Sequence, residues 1–322
     1  MKEVSFLINP FSGGGEGRRL ATYLPEIMAS FDLDTTQWAA EFTSLENIET
    51  QIFDLIKDTH KLIAVGGDGT MSDVLTCLAR NLDLDVEVGL IPLGTGNDLA
   101  RVMNIFHNYH NRGLLNTIRK LMSSGSRKFD LWSVNGKQTL SAYLSAGVDA
   151  RVAMEFNQVR AAGKLPWKAV WLNKLYYIVI FARVYNHRLG QGTLLEYTSA
   201  GGQKHQVDLS GKRSIIIGNI PSYGGGANPF RDSDYNDAYL EIVPAKSLIK
   251  YIACMMTTMG APIQKLITNL YLPCHHASSV KLSIPKGESV QIDGEDRTQE
   301  FSGKTIEIEH VRKVKLLVLE EV

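Results

Sequence analysis

Leu62, Ile63, Ala64 and Val65 form a short apolar run that stops at Gly66, Gly67, Asp68, Gly69 and Thr70, and a helical pattern starts at Met71. Four apolar residues bounded by turn residues read as a buried strand. Backbone without a Cβ can approach a ligand closely, and a helix that starts there aims amide hydrogens and a positive dipole end at it. A strand, a glycine bend and a helix in direct succession therefore predict an α/β unit with a phosphate site at the end of that strand.

The neighbouring sequence repeats the pattern. Residues 4–8 and 86–91 read as strands. Helices are expected over 18–28, 47–58 and 99–106, and from Met71 onward, each with an apolar stripe at helical spacing. Strands separated by helices predict a mostly parallel sheet with crossover connections. After about residue 130 the pattern changes to short strands at 131–134, 193–197, 207–209, 214–218, 239–243, 280–284, 289–292 and 305–308, with Gly, Pro, Asn and Asp in the turns. Two helices, near 161–185 and 247–271, interrupt them. A length of 322 residues fits two domains. The expected organisation is an α/β N-terminal domain over 1–130 with a mostly parallel sheet, and a mainly antiparallel, β-sandwich-like second domain over 131–308 with helical insertions. The strand-like segment 314–319 suggests that 309–322 return to the first domain.

Three loops should meet. The first strand ends in Asn9, Pro10, Phe11, Ser12 and Gly13, and the third in Pro92, Leu93, Gly94, Thr95, Gly96, Asn97 and Asp98. With residues 66–70, all three lie at the carboxyl ends of strands expected to be parallel, where such sheets bind ligands. Taken singly, each is also explained as a turn, with Thr70 as a first helical residue and Asp98 as an N-cap. Three at matching strand ends exceed what turn chemistry requires. Neither GxxxxGK[ST] nor GxGxxG describes them.

Lys+Arg and Asp+Glu each number 34, so there is no cationic surplus to displace counterions from nucleic acid. Cys77, Cys254 and Cys274 form no CxxC pair and read as reduced thiols of a cytoplasmic protein. Residues 1–4 open a strand directly, so no signal peptide is expected. The most apolar stretch, 251–272, is interrupted by Gly260, Pro262, Gln264 and Lys265, which disfavours a membrane span.

Asn9-Pro10-x-Ser12-Gly13, the block 66–70 and Pro92-Leu93-Gly94-Thr95-Gly96-Asn97-Asp98-Leu99-Ala100-Arg101 resemble the diacylglycerol kinase catalytic domain. The Gly-Gly-Asp-Gly-Thr block is shared with sphingosine, ceramide and NAD kinases, whereas the third block is similar to the diacylglycerol branch. Gly147-Val148-Asp149-Ala150, the segment 219–225 and Gln291-x-Asp293-Gly294-Glu295 resemble that family's accessory region. The resemblance covers nearly the whole chain and fits the compact bacterial lipid kinases. It implies ATP and Mg²⁺ as cofactors, with ATP contacts on residues 9–13, Thr43, residues 66–72 including Ser72, and Gly94, Thr95, Asn97 and Asp98.

Phosphoryl transfer to a lipid alcohol needs a carboxylate to accept the hydroxyl proton. The resemblance places that base at Glu295, with Asp293 as its rival and Asp68 positioning metal or water. Asp293-Gly294 is equally a hairpin signal. The resemblance also implies a structural Mg²⁺ on the Asp237 carboxylate with the carbonyls of Asp234 and Tyr239, although Ala238 stands where the family usually has Gly. Asp68, Asp98, Asp237 and Glu295 are expected to converge on the reacting phosphate. His275 and His276 read as loop decoration, with no third ligand nearby in sequence.

No acidic residue lies between Glu155 and Glu196, while Arg160, Lys164, Lys168, Lys174, Arg183 and Arg188 are interleaved with Trp167, Trp171, Tyr176 and Tyr177. Such a face suits peripheral attachment to an anionic membrane, and equally the solvated side of an ordinary helix. The expected partners are a diacylglycerol-like lipid and a membrane surface. Nucleic acid is excluded, and homodimer formation is left open. Rival readings are a kinase for a sphingoid or ceramide, or a non-catalytic nucleotide- or lipid-binding regulator.

Overall fold

A computed structural model describes residues 1–44, 46–162, 179–230, 232–247 and 272–320. The chain divides into two compact units, residues 1–131 with 311–322, and residues 132–310.

In unit one, β1 (Lys2–Ile8), β2 (Trp38–Phe42), β3 (Thr59–Gly66) and β4 (Glu87–Pro92) form a parallel sheet in the order β2-β1-β3-β4. Leu62, Ile63 and Ala64 are fully buried and Val65 nearly so, as a central strand covered on both faces requires. The crossovers are α1 (Ser12–Ala21) with α2 (Leu24–Ala29), then α3 (Ile48–Lys57), and α4 (Asp68–Arg80). Next come α5 (Asp98–Val102), α6 (Ile105–Ser123) and the first part of β5 (Ser126–Val134).

The helix expected over 18–28 is two helices, with Pro25 in the first turn of the second. Regular α1 geometry begins only after Gly13, Gly14 and Gly15, which have left-handed backbone angles. The helix expected over 99–106 also breaks. Asn104, at φ 58°, separates α5 from the much longer α6.

Unit two is antiparallel. Its strands are the end of β5, then β6 (Gln138–Leu140), β7 (Tyr143–Gly147), β8 (Leu194–Ser199), β9 (Lys204–Asp208) and β10 (Ser214–Gly218). They continue with β11 (Leu240–Ala245), β12 (His275–Ser283), β13 (Val290–Ile292), β14 (Glu295–Asp296) and β15 (Thr305–Leu317). The order runs β14-β13-β7-β10-β11-β12-β15, with the β8–β9 hairpin branching from β12. β10 lies between β7 and β11, and all five of its residues are buried. Trp132, Leu144, Ile215, Ile217, Ile242, Leu282 and Ile306 share the core. The Trp132 indole N–H donates to Asn219 Oδ1 at 2.8 Å, and the Asn219 amide donates to the Ser141 carbonyl at 3.0 Å, so this buried polar pair is satisfied. Helix α7 (Val148–Ala161) follows β7, and α8 (Thr298–Phe301) precedes β15.

The mixed architecture is the one expected: parallel strands in the N-terminal part and antiparallel strands in the C-terminal part. β15 serves both units in turn. Residues 305–309 pair antiparallel with β12, and Lys315 and Leu316 pair parallel with β4. Of the helix expected over 161–185, residues 179–184 are described and helical. Residues 163–178, with most of the basic and aromatic stretch, lie outside the described residues, as does nearly all of the helix expected over 247–271. No helix among the described residues is long and apolar enough to cross a membrane.

Candidate active site

The strand order β2-β1-β3-β4 fixes where a ligand can sit in unit one. The chain leaves β1 for β2 on one side and returns to β3 on the other, so the carboxyl ends of β1 and β3 flank a topological switch point. The sequence-predicted loops line it. Asn9 N donates to Val65 O at 2.9 Å, and Asn9 Nδ2 lies 3.5 Å from Thr70 Oγ1. Ser12 N donates to Asn9 O at 3.2 Å, which folds the first loop back over the strand end. Pro10 is buried and Gly13 is exposed. Thr43, just past β2, donates its N–H to Ile8 O at 2.8 Å and so stands beside the end of β1.

The second and third loops are locked together. Leu93 N donates to Gly66 O at 2.7 Å, and Asn97 N donates to Asp68 Oδ2 at 2.7 Å. Asn97, at φ 54°, bonds Gly94 in both directions, its Oδ1 accepting from Gly94 N at 3.0 Å and its Nδ2 donating to Gly94 O at 2.7 Å. Asp98 is buried in the first turn of α5, and Thr95 is exposed at the loop tip. Gly67, the N-cap of α4, has no side chain to cap it, and the first turn holds Asp68, Gly69 and Thr70, with Ser72 half-buried behind them. Its leading amides therefore point past the carboxyl edge of the sheet, an arrangement that suits an anion.

A Cβ built on Gly94 would lie 2.7 Å from Gly67 Cα and 2.9 Å from Asn97 Oδ1. Asn97 is held by its paired bonds to Gly94, and Gly67 lies between two residues bonded to the third loop, so neither can give way easily. Gly94→Ala is expected to cost about 1–3 kcal/mol as local overpacking. Gly14→Ala meets nothing within 4 Å and bears only the cost of its φ of 71°, about 1 kcal/mol. Urea midpoints that rank Gly14→Ala as the more damaging change would show that the two loops are not in this contact.

In unit two, Asp293 and Glu295 share one hairpin. Ile292 pairs with Glu295 across a two-residue turn of Asp293 (φ 51°) and Gly294 (φ 83°). Both angles positive is the hairpin geometry that Asp-Gly favours. Yet Asp293 is more than a turn residue. Its Oδ1 accepts from Ala142 N at 2.8 Å and Tyr143 N at 2.9 Å. Its Oδ2 accepts from Ser141 N at 3.1 Å and Ser141 Oγ at 2.7 Å. Burial pushes the Asp293 carboxyl up, and these four donors pull the other way. Gln291 braces the same turn, its Oε1 accepting from Gly294 N at 2.8 Å while its Nε2 donates to Ser145 Oγ at 2.8 Å. Glu295 is half-exposed, and Arg297 donates to its Oε2 at 2.8 Å.

The acidic loop before β11 holds Asp234, Asp237 and Tyr239. Asn236 N donates to Asp234 Oδ1 at 3.1 Å, and Tyr239 N to Asp237 Oδ1 at 2.9 Å. Ala238 adopts φ 60°, the left-handed conformation that glycine would take without strain. Sequence reasoning missed what this loop faces. Glu241, fully buried on β11, pairs in register with His276 on β12. Burial pushes Glu241 up to about 8, and the charges of Asp237 and Asp234 add to the rise. His276 is thus a strand residue with remote carboxylate neighbours rather than loop decoration. The signal was the alternation of the 275–283 strand, too weak at its start to reveal a partner 35 positions away.

A glycine-lined switch point on a parallel sheet, with a separate antiparallel unit carrying a braced acidic hairpin, makes this a two-unit α/β protein with a candidate phosphate site in unit one. The diacylglycerol kinase catalytic domain model matches residues 3–134, and the diacylglycerol kinase accessory domain model matches residues 139–296. The chain belongs to the diacylglycerol kinase family. It is 30% identical over 278 residues to the eye-specific diacylglycerol kinase of Drosophila melanogaster, covering 74% of this chain and 18% of that protein. It is 26% identical over 288 residues to diacylglycerol kinase 1 of Arabidopsis thaliana, covering 83% of this chain and 39% of that protein. The chain therefore spans well under half the length of these relatives. The crystal structure of a diacylglycerol kinase from Bacillus anthracis str. Sterne aligns with a TM-score of 0.68 at 18% identity, over 98% of this chain and 97% of that one. At that identity the likeness concerns the fold.

Proposed function

We propose that this chain is an ATP- and Mg²⁺-dependent lipid kinase that phosphorylates the hydroxyl of diacylglycerol to give phosphatidic acid. The observation that carries the reading is the set of three interlocked glycine loops at the switch point of unit one, in a chain matched by both family blocks in order. The uncapped start of α4 fits a polyphosphate, and the carboxylates of Asp68 and Asp98 fit the Mg²⁺ that accompanies one. Residues 9–13, Thr43, residues 66–72 and residues 94–98 hold the nucleotide. Mg²⁺ would supply charge neutralisation at the phosphates, with Asp68 positioning it or its water. Glu295 accepts the proton of the lipid hydroxyl as its oxygen bonds to the γ-phosphorus and the bond to the leaving ADP oxygen breaks. Asp293 is less suited to that role, because its oxygens already accept four hydrogen bonds.

Unit two is assigned the lipid acceptor. The basic and aromatic residues 160–188 suit an anionic bilayer surface, which makes the protein a peripheral one on the cytoplasmic side, consistent with its scattered cysteines. Purified protein given labelled ATP and a panel of lipid alcohols in mixed micelles tests the reading. The expected result is labelled phosphatidic acid from diacylglycerol, with sphingosine and ceramide at least tenfold poorer acceptors. Preference for either of the latter moves the acceptor assignment, and nucleotide binding with no transfer to any lipid replaces the enzyme by a binding protein.

A further inference from the structure

Glu241 is 0% exposed. Ser233 Oγ donates to its Oε2 at 3.0 Å, while its Oε1 has no hydrogen-bond donor among the described residues. A carboxylate oxygen buried in that state is costly, and a cation is what it accepts. His276 Nδ1 lies 3.5 Å from Oε1, held there because the two residues are cross-strand neighbours in the β11–β12 register. Asp237 completes the group from the preceding loop. One ligand atom from each of Asp237, Glu241 and His276 lies within 4.8 Å of the others. Ligand atoms around one ion at about 2.1 Å stand roughly 3–4 Å apart, so side-chain shifts of under about 1 Å would close the site.

We infer that Asp237, Glu241 and His276 form a binding site for a divalent first-row transition ion such as Mn²⁺ or Zn²⁺. Two carboxylate oxygens and an imidazole nitrogen are a donor set that such ions accept, whereas Mg²⁺ prefers oxygen alone and gains little from imidazole. The family resemblance implies Mg²⁺ on Asp237 with backbone carbonyls. The geometry here adds a buried carboxylate and a nitrogen donor and changes the preferred ion. Half-buried Asp237 and His276 leave a solvent-facing side for entry and for water ligands. The site stands on unit two alone and does not depend on the lipid acceptor or on catalysis.

Cobalt is the probe, because Co²⁺ replaces Zn²⁺ or Mn²⁺ in such donor sets and its visible absorption reports inner-shell ligands. The chelator-treated full chain is titrated with Co²⁺ at neutral pH, followed by Zn²⁺, Mn²⁺ and Mg²⁺ competition. One Co²⁺ per chain is expected, displaced by Zn²⁺ and retained in millimolar Mg²⁺. His276→Gln and Glu241→Gln should each weaken Co²⁺ affinity about 10–100-fold. His275→Gln, on the neighbouring strand position, should leave it unchanged. Thermal midpoints of the chelator-treated variants show that each is folded before it is titrated. Absence of stoichiometric Co²⁺ uptake, equal displacement by Mg²⁺, or unchanged affinity in both the His276 and Glu241 variants would overturn the assignment.

Discussion

Glu295→Gln is expected to lower turnover at saturating ATP by about 10²–10⁴-fold, the range for loss of a positioned general base. Nucleotide affinity should be unchanged. The substitution keeps size and shape and removes only the capacity to take a proton. Glu295 is half-exposed and its partner Arg297 lies two residues away, so the fold has little to lose. An exposed ion pair of this kind contributes at most about 1 kcal/mol. Single-turnover phosphorylation of diacylglycerol, with fluorescent-nucleotide binding as the companion measurement, checks both halves. Wild-type turnover in this variant would remove Glu295 from the chemistry.

Asp293→Ala should instead act on stability, lowering it by about 3–5 kcal/mol, the cost of leaving buried donors without their charged acceptor. Ser141 N, Ser141 Oγ, Ala142 N and Tyr143 N would all lose their partner at once. These donors belong to the entry of β7, which pairs with β10 on one edge and β13 on the other, so the damage reaches the centre of unit two. Asn is the informative comparison. It tolerates the φ of 51° and keeps one carbonyl acceptor, so Asp293→Asn should fall between wild type and Asp293→Ala. Differential scanning calorimetry beside kinetics separates the roles. Full thermal stability combined with lost turnover in Asp293→Asn would make Asp293 the base and leave Glu295 a bystander.

Much of unit one was legible because its signals are local. The strand ends at Ile8, Gly66 and Pro92 are each marked by apolar residues giving way to glycine or proline, and their periodicity changes within a few positions. What was not legible depended on partners. β2 reads Trp-Ala-Ala-Glu-Phe and is half-exposed at the sheet edge, so it carries neither an apolar run nor alternation. β7 reads Tyr-Leu-Ser-Ala-Gly and lacks β-branched residues, yet it is buried throughout, with Leu144 and Ala146 in the core of unit two and strands paired along both its edges. The long α6 was hidden by His107, Asn108, His110 and Asn111, and by Gly113, whose φ of 75° kinks it. The same division holds for the candidate site. The Asp-Gly turn announced itself, but nothing in sequence shows that the Asp293 carboxylate would reach back across 150 residues to collect the amides of β7. The Glu241–His276 pair was equally hidden, since register between distant strands is a tertiary fact.

β15 has a consequence for how the chain is made. Its last residues complete the parallel sheet beside β4, with Leu316 and Leu317 buried, and Arg312 donates to the carbonyls of Leu78, Asn81, Leu82 and Leu84 at the end of α4. A nascent chain emerging from the ribosome therefore displays unit one through residue 131 with its sheet open along β4 until residues 311–322 arrive. The glycine loops are translated well before the strand that closes the frame holding them.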